Sequence, residues 1–222
     1  MQKGRFVSTY RFTDRQRRYL KIKRALDMIF AALLLIPSGI LIGLSAVWVK
    51  SESQGPVIFK QARPGYHQKI FYIYKIRSMR TEVADKEGRP LTDKERLTRS
   101  GRFIRKTSID ELPQLINILK GEMSFIGPRP FLINDLASYN DEQLIRFEVL
   151  PGLTSWTAIH GRNNQAAQDK YNQEIDYVKH ISFRLDLYIF IKTIGLLLSQ
   201  TDIDDSVNGG RIAAEIMDDP NI

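Results

Sequence analysis

The chain has 222 residues, 43% of them hydrophobic and 26% charged, the proportions of one globular domain with a sizeable core and not of a disordered segment or a multidomain array. It contains no cysteine, which excludes a disulfide framework, cysteine-ligated zinc, iron–sulfur sites and every thiol nucleophile, and permits a reducing compartment. The net charge is +8, yet residues 1–24 alone carry nine basic side chains against one acid, Asp14; the excess is a basic leader, so nucleic acid is not an expected partner.

Residues 28–49 are 22 consecutive uncharged, mostly apolar positions, enough for a bilayer-spanning helix. The run and the charged stretch before it are too long for a signal peptide, and no small-x-small cleavage site follows, so the segment is expected to stay and contact membrane. Pro37-Ser38-Gly39 interrupts it. Proline deletes a helix hydrogen bond, which predicts a break and two limbs of about 15 Å, half the hydrocarbon thickness each. Basic residues stand on both sides: Lys21, Lys23 and Arg24 before, Lys50, Lys60 and Arg63 after. That symmetry suits a re-entrant helix-break-helix with both ends cytoplasmic, whereas charge and proline alone leave a kinked transmembrane helix open. Asp27 is expected to pair with Arg24, three residues earlier.

Residues 57–61 and 69–76 read as two strands joined by the turn Arg63-Pro64-Gly65-Tyr66. Residues 81–99 are polar, contain Gly88 and Pro90, and predict a solvated loop with room for one helical turn. Leu112, Leu115, Ile116 and Leu119 recur at helical spacing and open a helix. Further helices are expected over 131–147, 165–180 and 184–200, the last apolar enough to lie in a membrane interface. The acidic tail after Thr201 is expected to be poorly ordered. Helices dominate and the strands do not alternate with them, which predicts an α+β class, mostly helical with a short β-hairpin. The divisions are a leader (1–22), a membrane segment (23–50), a polar domain (51–201) and a tail (202–222).

No Walker loop, GxGxxG or HExxH occurs, and the three histidines form no triad motif. The chemistry concentrates in residues 99–129. There Ser108 and Glu111 have the spacing of a capping box, although Pro113 better suits a cap at Ile109 or Asp110. Either way Asp110 is expected at a helix N-terminus, which favours anions. Arg102, Arg105, Lys106 and Arg129 supply more positive charge than Asp110 and Glu111 need, and the surplus suggests a phosphate. Carboxylates, arginines and an anion pocket suit phosphoryl transfer, with a divalent metal bridging acid to diphosphate or with an aspartate attacking phosphorus itself.

The segments KRALD (23–27), GPVIF (55–59), QARPG (61–65), YKIRSM (74–79), SIDELPQ (108–114), MSFIGPRP (123–130), PGLTSW (151–156), GRN (161–163) and LD (185–186) together resemble the bacterial sugar transferases, monotopic polyprenyl-phosphate phosphoglycosyl transferases. The resemblance covers about residues 21–201. It implies a small catalytic domain on a re-entrant helix at the cytoplasmic face of the bacterial inner membrane, starting glycan assembly. The enzyme would transfer a sugar 1-phosphate from a UDP-sugar to undecaprenyl phosphate, release UMP and use Mg2+. It implies Asp110 as the nucleophile of a covalent phosphosugar intermediate, Glu111 as its partner, as base or with Asp110 on the metal, and Arg105 and Arg129 on phosphates. Lys75 and Arg77 would join the pocket, and Arg162 and Asn163 would face the nucleotide-sugar. Pro37 and Ser38 form the membrane break, in the reverse order of the Ser-Pro common in the family. The sugar and the oligomeric state, a homodimer included, stay open. The rival readings are a membrane-tethered protein that binds anionic lipids and a phosphatase of lipid phosphates.

Overall fold

The computed structural model describes residues 10–85, 87–160 and 167–199. The expected acidic tail lies outside them.

Helix α1 (Asp14–Glu52) is opened by Thr13 and Gln16, whose side chains each bond the other's backbone N–H, the reciprocal cap that satisfies two orphan donors. It therefore starts well ahead of residue 23, and residues 10–22 do not form a separate leader. Tyr10 Oη and Gln16 Nε2 both donate to the Lys179 carbonyl, at 3.1 and 2.9 Å. The expected break is absent from the secondary structure, because the helix runs through Pro37, Ser38 and Gly39 without interruption. One proline removes one ladder bond and bends a helix without having to end it.

A stripe of α1 is buried along its length: Lys23, Asp27, Ala31, Ser38, Ser45 and Val49, spaced so that they share one face. Both ends of this stripe bind the rest of the chain. Arg24 donates to the carbonyls of Ile118 and Leu119 (2.7 and 3.3 Å), and Asp27 accepts from the Phe125 N–H (3.3 Å). The expected Arg24–Asp27 ion pair does not form; each side chain instead bonds backbone groups of the segment 118–125. At the far end Glu52 accepts from the N–H and hydroxyl of Ser100 (2.9 and 2.8 Å). The opposite face of α1 exposes Met28, Ile29, Phe30, Leu33, Ile36 and Ile40, among others.

Strands β1 (Ile58–Pro64) and β2 (Ile70–Ile76) pair antiparallel, with Ile58 opposite Ile76 and Pro64 opposite Ile70. The hairpin is as expected, with its turn one or two residues later. The polar loop carries one helical turn, α2 (Asp93–Arg96), capped by Thr92. Helix α3 (Arg99–Lys106) was not anticipated, since its basic residues hide the buried face of Ser100, Gly101 and Ile104. A β-carbon on Gly101 would stand 1.8 Å from the Ser78 carbonyl oxygen, so α3 approaches the end of the hairpin only because this residue has none.

Helix α4 (Gln114–Lys120) is preceded by a 3-10 turn, Ile109–Glu111. The expected capping box is not made: Ser108 adopts φ 55° and its side chain caps nothing, because α3 ends there with Ser108 N–H bonded to the Arg105 carbonyl. Asp110 thus sits in the turn before α4 and not at the helix N-terminus. Strands β3 (Ser124–Ile126) and β4 (Gly152–Thr154) form a short parallel pair. The helix expected over 131–147 is replaced by two 3-10 segments, Ile133–Ser138 and Gln143–Glu148. Asn140 breaks it by trading side-chain bonds with Gln143, the local competition that asparagine offers to helix. Helices α5 (Ala167–Lys179) and α6 (Phe183–Ser199) follow as expected. The class is mostly helical with one antiparallel hairpin, as the sequence implied.

Three apolar clusters carry the fold. Ile126, Ile145, Val149, Tyr177, Val178, Ile181 and Ile189 join α5 and α6 to β3. Phe71, Ile73, Leu115, Ile118 and Met123 join the hairpin to α4 and take in Ala31 of α1. Ile76 and Ile104 close on Val49 at the far end of α1. The long helix is therefore part of the core. Outside these clusters α6 exposes Phe183, Leu187, Phe190, Ile191 and Leu198.

Candidate active site

Asp110 stands where α3, β2 and the turn before α4 meet. It is buried, while Glu111 beside it is partly exposed. Lys75, near the end of β2, reaches Glu111 with Nζ 2.8 Å from Oε1, both side chains about a quarter exposed (27% and 26%). Arg105, in the last turn of α3, donates from Nε to Ser78 Oγ at 2.8 Å and acts electrostatically on Asp110. The sequence reading placed Asp110, Glu111, Lys75 and Arg105 in one site, and the structure brings these four together.

One supporting residue had no motif to reveal it. Asn117, fully buried, accepts from the Tyr74 N–H (3.2 Å) and donates to the Tyr72 carbonyl and to Glu122 Oε2 (both 2.7 Å). Its amide thus fills the edge of β2 that β1 leaves unpaired and sets the register of α4 against the strand. Lys75 and Glu111 owe their meeting to that register.

Burial raises the Asp110 carboxyl to about 6; Lys75 and Arg105 pull it down, and Glu111 adds to the rise. Burial also lowers Arg105 from its ordinary value, with Asp110 opposing that shift. A carboxylate kept short of solvent beside two cations is poorly satisfied by water and poised to engage an electrophile or a metal. Among the described residues no group of three or more His, Asp or Glu side chains could hold a metal. Two adjacent carboxylates are nevertheless what a magnesium ion needs when phosphate oxygens and water complete its shell. Asp110 and Glu111 fit magnesium in that sense.

The remaining expected residues lie elsewhere. Arg77 donates to the carbonyls of Gln54 (2.6 Å) and Ser53 (3.0 Å), so its guanidinium closes the end of α1. Arg129 is exposed and lines a cleft with Pro64, Gly65, Pro130, Arg146 and Pro151, at the turn end of the hairpin whose other end holds Lys75. Arg102 and Lys106 are exposed on α3. Arg162 and Asn163 lie outside the described residues. Pro37 and Ser38 are inside α1, with Ser38 on the buried stripe.

A buried network ties the two apolar helices together. Asp186 of α6 accepts from Lys23 Nζ and Tyr19 Oη, both at 2.6 Å, and from Tyr177 Oη at 2.8 Å. Its partners come from α1 and α5.

Comparison with known proteins gives one consistent result. The profile of the family described as bacterial sugar transferase matches residues 18–200. An uncharacterized sugar transferase of Bacillus subtilis (strain 168), EpsL, is 43% identical over 185 residues, covering 83% of this chain and 91% of that protein. An undecaprenyl-phosphate glucose phosphotransferase of Komagataeibacter xylinus is 38% identical over 78% of this chain but 35% of its own length. A UDP-glucose:undecaprenyl-phosphate glucose-1-phosphate transferase of Escherichia coli (strain K12) is 35% identical over 78% of this chain and 39% of its own.

Proposed function

Since this chain belongs to the bacterial sugar transferase family, we propose that it transfers a sugar 1-phosphate from a UDP-sugar to undecaprenyl phosphate and releases UMP. The observation that carries the reading is Asp110, a buried carboxylate with Lys75, Glu111 and Arg105 around it. In the first half-reaction an Asp110 carboxylate oxygen attacks the phosphorus that bears the sugar, and the bond from that phosphorus to the UMP oxygen breaks. UMP leaves with the electron pair. In the second, a phosphate oxygen of undecaprenyl phosphate attacks the same phosphorus and Asp110 departs as carboxylate, so the chain ends unchanged. Lys75 holds Glu111 in place and Arg105 binds a phosphate oxygen beside Asp110, while Arg129 would reach a phosphate of the donor from the turn end of the hairpin. Magnesium, held by Asp110 and Glu111, would neutralise diphosphate charge when bound.

The membrane reading is supported by the contacts of α1. Its length and composition suffice to cross a membrane, and residues 28–49 would measure about 33 Å if straight. Arg24 and Asp27 at one end and Glu52 at the other nonetheless touch one and the same domain. A straight crossing would carry one of those ends to the far face. These contacts favour a segment that bends near Pro37 and keeps both ends on one face, with its apolar face and that of α6 in lipid and the basic flanks on the cytoplasmic side of the inner membrane.

UMP release from a panel of UDP-hexoses, with and without undecaprenyl phosphate, tests the reaction. Release with one donor that depends on the lipid acceptor is expected. Phosphate release from undecaprenyl phosphate without any nucleotide-sugar would establish the phosphatase instead. The pH profile tests the role of Asp110: kcat/KM for the donor is expected to fall on the acid side with an inflection near 6, as the carboxylate takes up its proton. Lys75 favours the ionised form, so Lys75→Met should move that limb to higher pH; an unmoved limb would separate Lys75 from Asp110.

A further inference from the structure

The guanidinium of Arg146 is almost fully buried (3% exposed) and lies over the Phe131 ring at 4.2 Å. One of its nitrogens donates to Tyr139 Oη at 2.9 Å and another to the Arg129 carbonyl. Glu174 of α5 is fully buried and accepts the Thr157 hydroxyl. The Arg129 backbone N–H and the Arg146 guanidinium are near enough to favour the Glu174 charge, while Glu174 Oε2 has no hydrogen-bond partner. Two buried, opposite charges from distant parts of the chain are thus directed at the main chain of one residue. Burying such a pair is expensive, and apolar side chains of like volume would commonly hold a core as well, so packing alone does not account for it. Arg129 is also rigid in its own right: Pro128 and Pro130 flank it, and the Pro128 carbonyl accepts from the Gly152 N–H at 2.9 Å. Its side chain is exposed at the rim of the cleft, and its charge also favours the ionised Glu174.

We infer that Arg146 and Glu174 are positioning residues for Arg129, holding its main chain from both sides so that its guanidinium is presented to the diphosphate of a nucleotide donor. The inference rests on the transferase reading, in which Arg129 binds a phosphate. A main chain fixed in advance aims the arginine at the phosphate, so binding does not have to order the backbone and only the side-chain rotamers are lost.

The test is calorimetric titration of UDP, with magnesium, into the full chain in detergent, using a double-mutant cycle. Arg129→Ala should weaken UDP binding about 10- to 100-fold. Arg146→Lys keeps the charge opposite Glu174 but loses the flat stack and the second donor; Glu174→Gln is the alternative variant should that one misfold. Each should weaken UDP binding about 5- to 10-fold in the native background and less than about twofold once Arg129 is alanine. A merely structural role would give equal losses in both backgrounds and would overturn the inference, as would native UDP affinity in Arg129→Ala. Failure of the native chain to bind UDP would overturn the transferase reading, and this inference with it; independent losses in a chain that binds UDP would overturn the positioning alone.

Discussion

Asp110→Asn is expected to abolish UMP release, by on the order of 10⁴-fold or more, because the amide has the shape of the carboxylate but no negative oxygen to attack phosphorus. The variant should stay folded, and pH gives a sign that separates lost chemistry from lost structure. The folded-state pKa of Asp110 is raised from 3.8 to about 6, so its protonated form adds stability that is fully present below the ordinary value and disappears as pH rises through about 6. Asparagine never ionises. At pH 8 the variant should therefore melt at or above the temperature of the native chain while being inactive. The covalent step has its own readout. With donor and no lipid acceptor, the native chain should release at most one UMP per molecule, and Asp110→Asn none. Steady release by a well-folded Asp110→Asn would remove Asp110 from the role of nucleophile.

The largest effect on stability is expected at Asp186, far from the chemistry. Its carboxylate accepts from Lys23, Tyr19 and Tyr177, and the Lys23 and Asp186 side chains are only 10% and 6% exposed. Asp186→Ala leaves the Lys23 ammonium buried without the carboxylate it bonds and strands the Tyr19 hydroxyl, while Tyr177 keeps the Ile126 carbonyl, a loss of about 3–5 kcal/mol. For a chain of this size that corresponds to roughly 6–20 °C in the melting midpoint, measured in one detergent at one pH. Lys23→Met combined with Asp186→Leu removes both charges and should recover part of the loss, since an apolar pair replaces the ion pair at little cost while the Tyr19 hydroxyl stays unpaired and Asp27 loses the Lys23 charge. A loss below about 1 kcal/mol for Asp186→Ala would place this network in the class of exposed ion pairs.

The two residues show how differently function and support are written in the chain. Asp110 and Glu111 were legible because they stand together in a short motif amid arginines. Asp186 belongs to a family motif as well, yet nothing in its neighbourhood names Lys23, 163 residues away. Asn117 was silent: an asparagine inside an apolar helix reads as a weak helix former, and its value comes from the open edge of β2, 43 and 45 residues earlier. Arg77 misled in the opposite way, since a basic residue two places from Lys75 looks like a pocket member and proves to bind the end of α1.

Local pattern determined the elements that depend on local physics. An uncharged run of 22 residues made the long apolar helix, alternation about Pro64-Gly65 made the hairpin, and apolar spacing made α4, α5 and α6. It failed where tertiary partners outbid propensity: at 131–147, where Asn140 and Gln143 satisfy each other, and at 99–106, where a helix of basic residues is held by Glu52 and by the close approach of Gly101 to Ser78. Only the tertiary structure decided that both ends of α1 contact one domain, that Lys75 meets Glu111, and that Arg146 bonds the Arg129 carbonyl. The reason is physical: periodicity encodes which face of an element is apolar, whereas a buried polar side chain is stable only with a partner, and that partner is chosen by packing between elements distant in the chain.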